Sequence, residues 1–458
     1  MSGAWAAIRA QVPGILGLAV PIVSGMAATT LIGVTDSVML APLGPVPLAA
    51  VGLTGAVAVI LYASVYGVLS ALSVRIGVAH GARATRDIPG LLRNGLVLGA
   101  AVGGLAALVM AAIWPLLPLL GQPTEVLAVM PAYYACIAAY MIPFAVLTVF
   151  KSAFEAVGRP WLGTTLALLG VVVNVPLNWL LIWGVGPLPP LGLTGAGIAS
   201  LLAESVALLV AWVFWKRAPS MRRMRLRRDL SVAEMRATAV EGAPLGLMYL
   251  AETGAVAVAT LIIGTFGTVA LAGNQVAFAI SGVLYMVPLG VAGAVAIRVA
   301  QERGAGNEAA LRPVVFAALG LVTVWLTGAA LVLGLGGKWL AGLVTDDPEV
   351  AAMAVAFMLV FALMQIFDGV QSAMVGALRG LSDAGWAAAI SMVAYWPMGV
   401  PLGWVLAHGA GIGPAGVWLG WLVALVWAGG MLTWRFLAKT RLSSGVVPRG
   451  RPSTGTQG

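Results

Sequence analysis

Twelve apolar runs follow one another along this chain, at 14–40, 47–73, 92–120, 126–150, 161–184, 192–215, 238–264, 269–297, 313–337, 350–377, 384–407 and 414–438. They are roughly 20 to 28 residues long, and a helix needs about 20 to cross a bilayer. Strands of a membrane barrel would be shorter and would alternate apolar with polar residues, which these runs do not do. In lipid every backbone N–H and C=O must be paired within the protein, so helices are the remaining choice. Apolar residues make up 61% of the 458 and charged residues 9%, and the mean hydropathy is +1.01, so no large soluble domain is left over. The expected fold class is an all-α polytopic membrane protein.

The basic residues sort by side. Arg9, Arg75, Arg83, Arg86, Arg93, Lys151, Arg159, the cluster within 216–236, Arg298, Arg303, Arg312, Arg379 and those from Arg435 onward fall at one end of the spans, and only Lys338 at the other. Lys and Arg mark cytoplasmic loops, so with an even number of spans both termini are expected in the cytoplasm. The net charge of +9 and pI near 10.1 follow from the same bias. The segment MRRMRLRR at 221–228 has no interleaved aromatics; it is expected to rest on anionic lipid headgroups, and no nucleic-acid partner is expected. The first residues, MSGAWAAIRAQVPG, lack the order of a cleavable signal, so span 1 is expected to be retained. The tail 441–458, with Ser, Pro and Gly, is expected to be disordered.

The two halves repeat. At an offset of 223, Pro21 matches Pro244, Gly44 matches Gly267, Leu48 and Ala49 match Leu271 and Ala272, and Arg75 matches Arg298; at 225, Pro176 and Gly184 match Pro401 and Gly409. Six spans per unit is even, so the halves share one orientation and are related by a pseudo-two-fold along the membrane normal. Such repeats bracket a central site in secondary transporters. The expected organisation is a six-helix lobe at 1–215, a basic cytoplasmic linker at 216–236, a second six-helix lobe at 237–440, and the tail.

Three acids, Asp36, Glu252 and Asp368, lie within spans. A carboxylate at membrane depth is expensive and by default marks an ion, proton or substrate path. Asn174 and Asn178 are four apart on one helix face, and Asp36 has a similar depth, so one acid and two amide oxygens could converge as hard ligands for a cation. Hydrogen-bonded glue between helices is the other reading of that cluster. In the second half, Phe361, Gln365, Asp368 and Ser372 recur at helical spacing, as do Asn274, Phe278, Ser281 and Tyr285; Gln275 lies beside the second row and Tyr249 just before Glu252. Polar stripes in apolar helices are expected to face a cavity, although the aromatics fit core packing equally well. Two nearby carboxylates in low dielectric would not both ionise without a cation between them, so a proton, sodium ion or cationic molecule would compete for one site.

The segments VTDSVML around Asp36, NVPLNWLLIWG around Asn174 and Asn178, YLAET around Glu252, GNQVAFAISGVLYMVPLGVAGAVAIRVAQERGAGN, and FDGVQSAMVGALRGLSDA around Asp368 together resemble the multidrug and toxic compound extrusion (MATE) family, in its NorM-type branch. The resemblance runs from about 21 to 434. It implies two six-helix lobes in a V around a central cavity, and export of cationic or amphipathic organic compounds against inward flow of sodium or protons. It also implies a cation site at Glu252 and Asp368, with sodium as the one metal contemplated, and a polar cluster at Asp36, Asn174 and Asn178. No other cofactor is expected. The implied setting is the plasma membrane of a bacterium, with small-molecule drugs and lipids as partners and a monomer as the working unit. Glu204 in span 6 matches nothing in that pattern.

Other classes fit less well. A lipid-linked oligosaccharide flippase, the alternative, would line its cavity with basic residues for the pyrophosphate, and no Lys or Arg falls in the middle of an apolar run. A major-facilitator transporter would share the six-plus-six count but lacks support beyond Arg75, Arg83 and Arg86 after span 2. An enzyme is not expected: His80 and His408 read as solvated loop residues without a Cys, His or acidic partner at ligand spacing. Cys136, the one cysteine, cannot form an intramolecular disulfide. The acidic run at 346–349 is expected to cap span 10, and Pro21 and Pro244 to bend the first helix of each lobe.

Overall fold

The computed structural model describes residues 2–186, 189–225 and 229–443, and each of the twelve expected spans is a helix in it. We label them α1 (Ser2–Leu40), α2 (Pro45–Gly81), α3 (Ile88–Ile113), α4 (Pro131–Ala156), α5 (Pro160–Trp183), α6 (Gly192–Arg217), α7 (Val232–Gly264), α8 (Thr268–Gly304), α9 (Glu308–Gly342), α10 (Pro348–Gly380), α11 (Ala384–Gly409) and α12 (Ala415–Ser443). Four of these begin on Pro, where the missing N–H is one the first turn leaves unpaired in any case. Asp347 caps α10 by accepting from the N–H groups of Glu349 and Val350 at 2.9 and 3.2 Å, as the acidic run leads one to expect. The chain is a multi-pass membrane protein whose helices form two six-helix lobes around a central cavity.

The repeat is visible in the backbone. α2 and α8 are both 37 residues long, and their starts lie 223 apart. Each follows a glycine, Gly44 or Gly267, at φ +102° or +104°, a conformation that side-chain-bearing residues rarely adopt. Helix ends differ from the apolar runs where polar residues stay helical beyond the lipid: α2 continues to Gly81, so His80 lies in its last turn and not in a loop. α12 carries the chain through Ser443, so the tail expected to be disordered begins helical; 444–458, like 226–228 of the basic segment, lie outside the described residues. α11 is irregular, with π-helical stretches at Ala394–Gly399 and Val405–Gly409 around Pro397 and Pro401. His408, in the second stretch, stacks on Trp404 and Phe266 and lies 3.1 Å from the Thr265 hydroxyl; it is exposed as expected, but helical and not in a loop.

The lobes meet at the end where the Arg-rich loops lie. Arg75 on α2 pairs with Glu234 and reaches Glu241 on α7 at 3.8 Å. Gln301 on α8 donates to the Ala156 carbonyl at the end of α4 at 2.9 Å, and Arg298 donates to Gln11 on α1 at 3.2 Å. Glycines let the backbones touch: a Cβ on Gly67 would lie 2.7 Å from the Gly246 nitrogen.

Asp383, between α10 and α11, is clamped by Arg435 at 2.9 Å and Lys439 at 3.1 Å on α12. Burial alone would push its carboxyl up, but these two cations hold it below the usual range. Its contribution to stability is therefore full above the ordinary carboxylate range and fades as pH falls through the depressed value. Asp383→Asn is expected to destabilise the fold by about 1 kcal/mol, a figure discounted for the solvent around Arg435 and Lys439. Thermal unfolding in detergent at neutral and acidic pH checks this: the gap between wild type and variant should close in acid.

Candidate functional site

The cavity between the lobes has a volume of about 630 Å³, within the range of sites that enclose small organic molecules. One wall comes from α1, α2 and α4 through Pro21, Met26, Tyr62, Tyr66, Phe144 and Thr148; the other comes from α7, α8, α10 and α11 through Tyr249, Glu252, Phe278, Tyr285, Ser372 and Tyr395. The surface is mostly aromatic and aliphatic, with the half-buried Glu252 on the wall of the second lobe. At the seam end, Lys151, Glu155 and Arg379 also line it. Basic residues therefore do reach the cavity, because α4 and α10 stay helical past the apolar runs that sequence reasoning used to place them outside.

Behind the second wall lies a polar network. Tyr285 donates to Asp368 at 2.9 Å and shares a 2.5 Å hydrogen bond with Ser372. Asp368 is thus one side chain back from the cavity, coupled electrostatically to Glu252. Glu252 faces the Tyr395 hydroxyl, and Gln371 donates to Tyr395 at 2.7 Å and to Ser391 at 3.0 Å. Tyr395 comes from the first π-helical stretch of α11, where the extra residue per turn re-aims a side chain toward the site. Stacking on Trp421 at 5.1 Å fixes its ring.

Of the residues expected in the cavity, Tyr249, Phe278, Tyr285 and Ser372 line it. Four do not. Phe361 is 1% exposed and packs edge-on against Phe278 and Trp418 in the core. Asn274 accepts from the Trp418 indole at 2.8 Å, Gln365 donates to the Ser281 carbonyl at 3.0 Å, and Ser281 is itself buried. The Asn274 oxygen and the Gln365 N–H are met by neighbouring helices, which relieves the penalty of facing lipid as effectively as a cavity does, while Gln365 Oε1 and the Ser281 hydroxyl have no hydrogen-bond partner among the described residues. Gln275 is exposed and does not line the cavity.

The expected cluster in the first lobe is assembled, away from the cavity wall. Asn178 donates to one Asp36 oxygen at 2.5 Å and to Asn174 Oδ1 at 3.0 Å; Ser200 on α6 donates to the other Asp36 oxygen at 2.8 Å and accepts from Asn174 at 3.2 Å. The amides were expected to offer oxygens to a cation. Instead Asn178 turns its N–H toward Asp36, because a carboxyl that is 5% exposed needs donors. Among the described residues no three of His, Cys, Asp and Glu converge as a metal cage. Ser200→Ala leaves one Asp36 oxygen without its donor and is expected to cost ~1–3 kcal/mol, read as a lowered unfolding midpoint. Glu204, one turn beyond Ser200 on the same face of α6, has the Tyr140 hydroxyl and Lys151 as polar neighbours.

Ser200, Gln371, Ser391, Tyr395, Lys151 and Arg379 escaped sequence reasoning. Ser391 and Tyr395 stand at i and i+4, so pairing polar residues within span 11 would have found them; Ser200 has a comparable signal in its spacing to Glu204.

The MatE family model matches this chain at 21–180 and again at 244–405. A probable multidrug resistance protein NorM of Deinococcus radiodurans is 35% identical over 83% of this chain and 85% of its own. The multidrug resistance protein NorM of Burkholderia vietnamiensis is 32% identical over 83% and 84%. Among solved structures, the Vibrio cholerae MATE transporter VcmN in the bent form superposes with a TM-score of 0.85 at 24% identity, covering 96% of this chain and 99% of that one.

Proposed function

The chain belongs to the MatE family, and from that premise we propose that it expels cationic or amphipathic organic molecules from a bacterial cell in exchange for sodium ions or protons moving inward. The observation that carries this reading is Glu252: a carboxylate on the wall of an aromatic cavity of about 630 Å³, with a second acid, Asp368, held behind it by Tyr285. In a low-dielectric site two such groups favour one added positive charge. A proton, a sodium ion and an organic cation supply it in mutually exclusive ways, and exclusion of one by another is the basis of exchange. The Arg-rich end, with both termini, is placed in the cytoplasm of an inner-membrane protein acting as a monomer, with lipids around it and no nucleic-acid partner. The Asp36 cluster, with Asn174 and Asn178, is assigned to coupling in the first lobe.

The test is export of a fluorescent cationic dye from proteoliposomes under an imposed sodium gradient and, separately, a proton gradient. Movement under one gradient is expected and names the coupling ion. A folded protein that moves dye under neither would overturn the proposal and favour a lipid-linked substrate.

A further inference from the structure

Glu204 takes no part in that exchange, yet it lies within a membrane-spanning helix and is 8% exposed. An acid at such depth is retained for the ion or proton it carries. It stands four residues beyond Ser200 on α6, about 6 Å closer to the Arg-rich end, and so between the Asp36 cluster and the seam. α4 presents the Tyr140 hydroxyl and Lys151 to it. α2 presents Tyr62, which with Tyr140 lies within electrostatic reach of both Glu204 and Asp36 of α1. α5 approaches with Gly170, on which a Cβ would lie 4.0 Å from Glu204 Oε2, and carries no titratable residue. Lys151 is therefore the cation that faces Glu204.

That cation is shared. Lys151 also neighbours Glu155, one turn on along α4, and Glu155 has Arg379 of the second lobe as its other cation. The four charges alternate in sign, from Arg379 through Glu155 and Lys151 to Glu204, and run from the seam into the first lobe. None of the four makes a direct ion pair among the described residues, so they attract across gaps and can be rebalanced without breaking a bond. The step across the seam is built on the repeat. Glu155 and Arg379 are 224 residues apart, as are Gly158 and Ser382, whose φ angles of +77° and +56° both lie in the left-handed region. The two residues thus hold equivalent places on α4 and α10, both on the cavity wall, with an acid in one lobe and a base in the other. Arg379 is 5% exposed and its Nε has no hydrogen-bond partner among the described residues, so drawing its one carboxylate neighbour away is costly.

We propose that Glu204 is a proton-binding site whose occupancy unlocks the seam. A proton on Glu204 removes one of the two carboxylates that hold Lys151. The ammonium then turns to Glu155, its i, i+4 partner on the same helix, and Arg379 loses its counter-charge. Water relieves the stranded guanidinium, and it is reached when the lobes part at the Arg-rich end. The proton is taken from solvent while the cavity faces outward and is returned to solvent at the Arg-rich end, so none is consumed. This rests on the exchange reading for its purpose and deepens it: an inward-moving proton opens the side on which it is released.

Spin labels on Thr85→Cys and Ala309→Cys, exposed residues at the Arg-rich end of the first and second lobes, report the separation by pulsed electron paramagnetic resonance in a Cys136→Ala background. The protein is full length, in lipid nanodiscs, with no cargo. In wild type, passing from mildly alkaline to mildly acidic buffer should lengthen the distance. Glu204→Gln, a permanent stand-in for the protonated acid, should raise the long-distance population about tenfold in alkaline buffer and remove most of the response to pH. Glu204→Asp should keep the response. Lys151→Met removes the messenger and should hold the short distance in both buffers, alone and combined with Glu204→Gln. A wild type that ignores pH, a Glu204→Gln variant that responds as wild type does, or a double variant that stays open would each overturn the inference, the last by making Glu204 a spacer between helices. A pH response retained in Lys151→Met would overturn it as well, whether or not Glu204→Gln folds. Because no cargo is present, failure of gradient-driven dye export would overturn the exchange reading and leave this distance measurement to decide the proton site separately.

Discussion

Glu252→Gln is expected to abolish gradient-driven dye export while the protein still folds, and Asp368→Asn to reduce it by about tenfold or more, because an acid at membrane depth is retained for the ion it carries. The two substitutions act differently. Glutamine keeps the shape of Glu252 and its reach to Tyr395, but the wall then offers an organic cation only an amide dipole, so dye binding and coupling fall together. Asp368 does not line the cavity and is reached through Tyr285. Its neutral analogue keeps an acceptor for the Tyr285 hydroxyl, so cationic dye should still bind while the gradient no longer drives its release. Gln275→Ala, at an exposed residue that does not line the cavity, supplies the control and should leave export unchanged. Retained export in Glu252→Gln would remove this acid from the mechanism.

The fold was legible because hydropathy is a local property. Twelve runs, one basic end and a 223-residue repeat needed no knowledge of what touches what, and the matched glycines Gly44 and Gly267 show that the repeat is also a backbone repeat. The Asp36 cluster was legible for a related reason, since Asn174 and Asn178 declare a shared face through their spacing. The cavity wall was not. A polar stripe in an apolar helix is satisfied equally by water in a cavity or by a donor on the next helix, and the partners that settle it here, Trp418 for Asn274 and the Ser281 carbonyl for Gln365, are distant in the chain. Arg379 was misjudged by a few residues of helix length, and those residues carry it from the loop into the cavity wall.

The seam between the lobes yields the other large expected effect. Gly81→Ala and Gly242→Ala together are expected to open the Arg-rich end, since a Cβ on Gly81 would lie 1.9 Å from the Gln301 carbonyl oxygen and one on Gly242 1.9 Å from that of Val68. Both obstacles are backbone, so the helices must separate, and overpacking of this kind costs about 1–3 kcal/mol. Helix propensity points the other way: with nothing within 4 Å, Gly320→Ala on α9 is expected to be neutral or stabilising by about 0.5–1 kcal/mol. The opposite signs separate a packing effect from a propensity effect. The readout is a single cysteine at the seam end of the cavity, Ser152→Cys in a Cys136→Ala background, labelled by a membrane-impermeant maleimide in vesicles of either orientation. In the parent it should react from the side opposite the Arg-rich loops, and the double-glycine variant should let it react from the Arg-rich side about tenfold faster, the population shift that 1.4 kcal/mol produces. Unchanged labelling from that side would mean that the ion pairs of Arg75 and the bonds of Gln301, and not the glycine contacts, hold the cavity shut.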